Sequence, residues 1–296
     1  MKLSLLVCLL ISSVFAADDS FYRFQDQLNY TQEKFLIYGQ KSSYSLTTHF
    51  YKNSSTKLMI EIHGYLDNCG YMKYINQYLW KKEYSILCIE LPGHGLSSGK
   101  KADIDSFKTY EKIIESIPIK YFTQFSEVSF LAHSTGTTPL LMHVMNNHSH
   151  PFKHVILLAP LIRTVLWYPA IIFHSVAKYA INTVPRRSKD ADKHKKFLEI
   201  ANIDPHYIDF NSLHWFSELR TWNNELEEFD KKIQTQINVI FSGEDEVVDT
   251  DYNMMFYAEH FPNARIHYMS RAMHHMDLDS NEIQREFFLI LDKILK

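Results

Sequence analysis

From Leu58 onward the chain alternates between short, mostly apolar runs and longer stretches in which apolar residues recur every three or four positions. The short runs cover residues 58–62, 85–90, 128–132, 155–159, 237–242 and 265–269. Near-continuous apolar runs of this length predict strands buried on both faces of a sheet. Two more strands are predicted upstream, at 35–38 and 44–51. The text between strands is helical: Phe107, Tyr110, Ile113, Ile114 and Ile117 share one face, as do Ile283, Phe287, Ile290, Leu291 and Ile294. The second of these stretches follows Asp279-x-x-Glu282, which has the form of a capping box. Strand and helix alternating in this way predict a mostly parallel α/β sheet.

The alternation stops between about residues 160 and 230, where no strand pattern is evident and a helical insertion is predicted. Its first part, 161–184, is apolar and aromatic, but Arg163, Pro169, His174 and Lys178 interrupt it and make it a poor membrane span. A basic run follows, with Arg186, Arg187, Lys189, Lys193, Lys195 and Lys196 interspersed with Asp190 and Asp192. This reads as a solvated helix face, with anionic lipid headgroups as the alternative partner.

Ligands of open α/β sheets bind beyond the carboxyl ends of the strands. Six of the eight glycines, Gly64, Gly93, Gly95, Gly99, Gly136 and Gly243, lie in the loops that follow strands. So do His63-Gly64-Tyr65, His133-Ser134-Thr135-Gly136, Gly243-Glu244-Asp245 and Ala272-Met273-His274-His275. A buried strand, then Ala132-His133-Ser134-Thr135-Gly136, then a helical run is the context of a nucleophile elbow, with Ala132 where glycine is usual. A serine needs a general base, and the base needs a carboxylate. Asp245 and His274 follow Ser134 in the order such sheets use, with Glu244, Glu246 and Asp249 as rival acids. The backbone N–H groups of Tyr65 and Thr135 are the candidate oxyanion donors.

Composition narrows the setting. The formal net charge is −3, with 31 basic and 34 acidic residues, so nucleic acid is not the expected partner. Residues 1–16 have a short basic start, an apolar run and a small residue at Ala16, the form of a signal peptide, and export is expected. Cys69 and Cys88 then remain as a pair that an exported chain could join. Sequons stand at Asn29, Asn53 and Asn147. His143, His148, His150 and His154 lack interleaved carboxylates or cysteines, so no metal site is expected there.

Together these motifs, with Gly93-His94-Gly95-Leu96-Ser97-Ser98-Gly99, Leu158-Ala159-Pro160 and Gly243-Glu244-Asp245-Glu246-Val247-Val248-Asp249, resemble the lysophospholipase and monoacylglycerol lipase branch of the α/β-hydrolase superfamily. The resemblance implies an α/β-hydrolase fold with a mostly parallel eight-stranded sheet. It divides the chain into a core at 17–160 and 232–296 and a helical cap at 161–231. It also implies hydrolysis of a single-chain lipid ester, a lysophospholipid or monoacylglycerol, with no metal or cofactor. In such an enzyme Ser134, Asp245 and His274 are catalytic, and Trp167, Tyr168, Ile171, Ile172 and Phe173 of the cap are expected to shelter the acyl chain. The cap is also the expected place of transient contact with a membrane surface. Two positions depart from the family pattern: Thr137 replaces a glycine, and His275 stands where Glu is common. The alternatives are an aminopeptidase or short-chain esterase on the same fold, or a lipid-binding protein without activity. An aminopeptidase would need acidic groups in the cap, for which Glu218, Glu225, Glu227 and Glu228 are available.

Overall fold

The apolar runs pair into one eight-stranded sheet in the computed structural model, which describes residues 20–25, 28–146, 149–187 and 193–296. The proposed signal peptide, Asn147, His148 and the middle of the basic run lie outside these residues. The strands are β1 (Tyr30–Tyr38), β2 (Ser43–Tyr51), β3 (Lys57–Ile62), β4 (Tyr84–Ile89), β5 (Glu127–His133), β6 (Val155–Leu158), β7 (Thr183–Pro185), β8 (Phe210–Ser212), β9 (Asn238–Ser242) and β10 (Arg265–Met269). The helices are α1 (Lys73–Lys81), α2 (Glu111–Ser116), α3 (Lys120–Thr123), α4 (Thr138–Met145), α5 (Trp167–Ala177), α6 (Lys195–Ala201), α7 (Leu213–Glu227), α8 (Thr250–His260) and α9 (Asn281–Ile294).

The strand order is β1-β2-β4-β3-β5-β6-β9-β10. β1 and β2 pair antiparallel, β2 joins β4 antiparallel, and every later neighbour is parallel. The central strands explain why their sequences are apolar throughout. Every residue of β4 is buried, as is every residue of β5 and β3 after the first. At the edge, β1 is largely exposed and its first half, Tyr30–Lys34, is mostly polar, so only its second half carries an apolar signal and the strand begins five residues earlier than predicted.

The C-terminal helix α9 buries Ile283, Phe287, Leu291 and Ile294 as one stripe. Its N-cap is Ser280, whose hydroxyl accepts from the Ile283 amide. Asp279, the capping residue suggested by sequence, instead accepts from the Met273 amide at 2.8 Å and holds the loop before His274. Both are good capping residues, and the choice between neighbours is made by that tertiary contact.

Between β6 and β9 the chain leaves the sheet through α5, β7, α6, β8 and α7. The insertion is mostly helical, but β7 and β8 pair antiparallel as a small separate sheet. Strands of three residues are too short to show a two-residue period, which is why the sequence pattern misses them. Helix α5 packs on α7. No helix among the described residues is long and apolar enough to cross a membrane.

The disulfide Cys69–Cys88 ties the loop after β3 to β4, with Cα atoms 5.9 Å apart. Of the sequons, Asn29 is exposed, whereas the Asn53 side-chain amide donates to the Trp80 carbonyl at 3.2 Å.

Candidate active site

Strand β5 ends at His133 and the chain turns at once, through a 3-10 turn over Ser134–Thr137 into α4. Ser134 has φ +54°, in the left-handed region that a non-glycine residue occupies only under constraint. A Cβ on Gly136 would lie 2.4 Å from the carbonyl oxygens of both Ile62 and His63, so no larger residue fits there. The Thr137 hydroxyl donates to the Ser134 carbonyl at 2.7 Å. The residue that stands in place of a second glycine therefore braces the turn.

The loop His63-Gly64-Tyr65 leaves β3, the sheet neighbour of β5. A Cβ on Gly64 would meet His133 Nδ1 at 2.9 Å and Ser134 Cβ at 3.2 Å. The missing side chain is what lets this loop close on the serine. Behind the loop lies a buried charge cluster that sequence reasoning passed over. Glu90 Oε1 is 3.0 Å from His49 Nε2, and Glu90 Oε2 is 2.9 Å from His63 Nε2. Burial pushes the Glu90 carboxyl up, but the two imidazoles outweigh it and hold it well below the carboxylate range. Burial pushes His63 down, but Glu90, with the Gly64 carbonyl and Asp67, more than reverses this and leaves His63 above its ordinary value. The Cys69 amide also donates to Glu90, at 3.2 Å. A glutamate closing an apolar strand pattern was the available signal, because an acid there must be paired.

The acid and the imidazole come from the last two strand-end loops. His274 Nδ1–H donates to Asp245 Oδ2 at 2.8 Å, and both side chains are buried. Asp245 Oδ1 accepts from the Val247 and Val248 amides at 2.8 Å each, and Ser242 donates to Oδ2. Burial raises the Asp245 carboxyl, but His274 and these donors together hold it below its usual value. The rival acids have other places: Asp249 caps α8, Glu246 lies 3.8 Å from His194, and Glu244 lines a polar cleft that Ser134 does not reach. His133 Nε2–H donates to the His274 carbonyl at 3.0 Å, and the two rings are 4.6 Å apart, so the imidazole loop is tied to the elbow.

His275 meets a different acid, although its ring also lies 4.6 Å from that of His133 in the elbow. It is buried, packs on Phe197 with ring centroids 5.0 Å apart, and lies 3.4 Å from Asp67. The next acid, Asp277, is fully enclosed, and its Oδ2 has no hydrogen-bond partner. Burial, with Asp67 nearby, pushes its carboxyl up to about 7.

Ser134, Thr135 and Tyr65 line one apolar cavity of about 250 Å³, whose other walls include Ala170, Phe173, Leu213, Trp215 and Phe216 of the insertion. A larger, polar cleft of about 580 Å³ runs past Lys195, Lys196, Arg271 and Met273, but neither Ser134 nor Tyr65 reaches it. Of the cap residues expected at an acyl site, Phe173 lines the cavity, whereas Trp167, Tyr168, Ile171 and Ile172 do not. Trp167 is buried against Phe216, Tyr168 is exposed, and Ile171 packs on the core. Helix α5 carries apolar residues on every side, so its sequence could not tell the lining face from the outer one. The expected basic face is also divided. Arg186 turns inward to Asp67 at 3.1 Å, and Lys196 donates to the Asp279 carbonyl at 2.6 Å.

The sheet, its flanking helices and a serine turn at the strand ends define a serine hydrolase of the α/β class. Residues 53–281 match the Hydrolase_4 family, described as serine aminopeptidase, S33, and the chain belongs to that family. No curated protein sequence matches. Among solved structures, a soluble variant of monoglyceride lipase from Saccharomyces cerevisiae, in complex with a substrate analog, has a TM-score of 0.71 at 14% identity, covering 93% of this chain and 98% of that one. The Paleococcus ferrophilus monoacylglycerol lipase has a TM-score of 0.67 at 15% identity, covering 84% and 98%. Mouse alpha/beta hydrolase domain-containing protein 10 follows at 0.57 and 12%, covering 89% and 98%. At such identities the likeness is one of fold.

Proposed function

We propose that the protein is a carboxylic-ester hydrolase acting on single-chain lipid esters, a lysophospholipid or a monoacylglycerol. Ser134 attacks the acyl carbonyl while His274 takes its proton, and Asp245 fixes the imidazole tautomer and stabilises its charge. The Tyr65 and Thr135 N–H groups receive the oxyanion. His274 returns the proton to the leaving alcohol, and water releases the acyl group by the same steps in reverse roles. No step calls for a metal or cofactor.

The observation that carries this reading is the cavity beside Ser134, whose lining is apolar and includes no carboxylate. An acyl chain gains about 0.8 kcal/mol per buried methylene in such a space. The family description brings an aminopeptidase to the fore, but none of the acids available to such an enzyme, Glu218, Glu225, Glu227 and Glu228, lines that cavity. Glu225 pairs with Lys108, Glu227 with Arg163, and Glu218 faces His214.

Contact with a lipid surface through the insertion belongs to the same reading. Tyr168, Ile172, Phe173, Val176 and Tyr179 are exposed on and just beyond α5. Phe173 is 54% exposed and also lines the cavity, so the outer apolar face and the site meet at one side chain. Export through residues 1–16 is supported by the disulfide, which persists in oxidising compartments.

The test is labelling by a fluorophosphonate probe, followed by turnover of lysolipid, monoacylglycerol, short acyl ester and aminoacyl amide. Wild type should label and prefer the lipid esters, and Ser134→Ala should lose labelling and turnover by a thousandfold or more. Labelling that survives Ser134→Ala, or a preference for the aminoacyl amide, would overturn the proposal.

A further inference from the structure

The side chain of Tyr65 does something its backbone does not. Its phenol donates to the Ala102 carbonyl in the core at 2.9 Å and accepts from the Ser212 amide in the insertion at 3.0 Å. Its ring stacks on Trp215 of α7, with centroids 3.8 Å apart and planes within 13°. Trp215 is itself fixed, because its indole N–H donates to the Tyr110 hydroxyl at 3.0 Å. Burial pushes the phenol well above its ordinary value, so it keeps the proton that it donates to Ala102.

The neighbouring residue is held from the same side. Leu66 has φ +65°, and its carbonyl accepts from Arg186 Nη1 at 3.0 Å, just after β7. Leu66 and Ala102 form a small apolar cluster with Ile208 of the insertion, packed by Tyr65 and Phe210. The loop beside Ser134 is therefore gripped by residues up to 147 positions away in sequence.

We propose that the Tyr65 phenol is a positioning group through which the docked insertion sets the oxyanion site. This rests on the Tyr65 N–H being an oxyanion donor, as argued above. When the insertion is seated, Ser212 and Trp215 hold the Tyr65 side chain and Arg186 holds the Leu66 carbonyl, and together they fix the segment that carries the Tyr65 N–H. When it lifts, the donor loses its aim. The insertion then acts on the rate of the chemical step for any ester, including one too short to fill the cavity.

Tyr65→Phe tests this, because it keeps the backbone N–H and the stacked ring and removes only the hydroxyl. For a small acetate ester, kcat should fall about tenfold or more with KM within threefold, since losing a donor outright costs about 10²–10³. Affinity for a tetrahedral boronic acid should fall by a similar factor. Trp215→Leu should act in the same direction, while Trp215→Phe should recover most of its loss. Amide hydrogen exchange should rise in residues 62–69 of Tyr65→Phe and Trp215→Leu, and stay as in wild type at the elbow, 132–136. A Tyr65→Phe variant with wild-type kcat and unchanged exchange at 62–69 overturns the proposal, as does a Trp215→Leu variant altered in KM alone. If wild type hydrolyses no ester, the reading of the site falls, and exchange at 62–69 still decides whether the phenol holds the loop.

Discussion

His275 Nε2 lies 3.4 Å from Asp67 Oδ2, turned away from the carboxylate that its neighbour His274 engages at 2.8 Å. Asp67 also receives Arg186, so His275 joins a buried contact between the loop after β3 and the insertion. The two adjacent histidines therefore have separable effects. His274→Ala should lower kcat about a thousandfold or more, as expected for a general base. His275→Ala should cost about tenfold or less, because its ring supports the loop through Phe197 and Asp67. The check is kcat of both variants on one soluble ester, with folding followed by circular dichroism. Loss confined to the His275 variant would reverse the assignment.

Glu90 is enclosed between two imidazoles with no solvent exposure on any of the three side chains. Replacing one member of a buried ionic cluster leaves its partners uncompensated, at a cost of about 3–5 kcal/mol. Glu90→Gln should lose stability of that order in urea unfolding. A loss under about 1 kcal/mol would show that the cluster is neutral in the folded protein.

Asp277 sets a pH dependence of stability. Its folded value of about 7 stands above the ordinary 3.8, so the folded state binds the proton more tightly than the unfolded chain. Between about pH 4 and 7 the unfolded chain is ionised while the folded one stays protonated. Stability contributed by this group is then full below about pH 4 and falls as pH rises to 7. Glu61, also raised by burial, adds a fall of the same sign. Asp277→Asn should flatten the decline and melt higher than wild type at pH 8. Equal pH slopes for the two proteins would remove Asp277 from this role.

The Cys69–Cys88 link closes a loop with a sequence separation of 19, worth about 3 kcal/mol in the chain-entropy account. The double Cys→Ser variant should lose stability of that order under non-reducing conditions. Wild type in reductant should come close to the variant. Identical melting of oxidised wild type and variant would show that the link is dispensable.

Much of this was legible along the chain, and the boundary is physical. Strands buried on both faces are written as local apolar runs, and so β3, β4, β5, β6 and β9 are legible from the placement of those runs alone. Ser134, Asp245 and His274 stand out as candidates because each follows a strand, and the contact of His274 with Asp245 agrees with that reading. What stayed hidden depends on pairing across the fold. The grip of Ser212 on Tyr65, the turn of Arg186 toward Asp67 and the choice of Ser280 over Asp279 as a cap involve partners that no local spacing announces. Helix α5 hides for the opposite reason: with apolar residues all round, it carries too much signal to show which side faces the cavity.

Strands β6 and β9, from which the insertion departs and to which it returns, are hydrogen-bonded neighbours in register from Ile156 with Asn238 to Leu158 with Ile240. Adjacent parallel strands run about 4.8 Å apart. An excursion whose two ends nearly coincide can be exchanged without disturbing the register of the sheet. This is the geometry of an interchangeable part, and by itself it would let a related scaffold lend its own insertion and with it a different substrate preference. The grip on Tyr65 limits that freedom. A chimaera carrying a foreign segment would inherit a phenol with no amide to receive and no indole to stack on, so a working graft needs position 65 and its new neighbours chosen together.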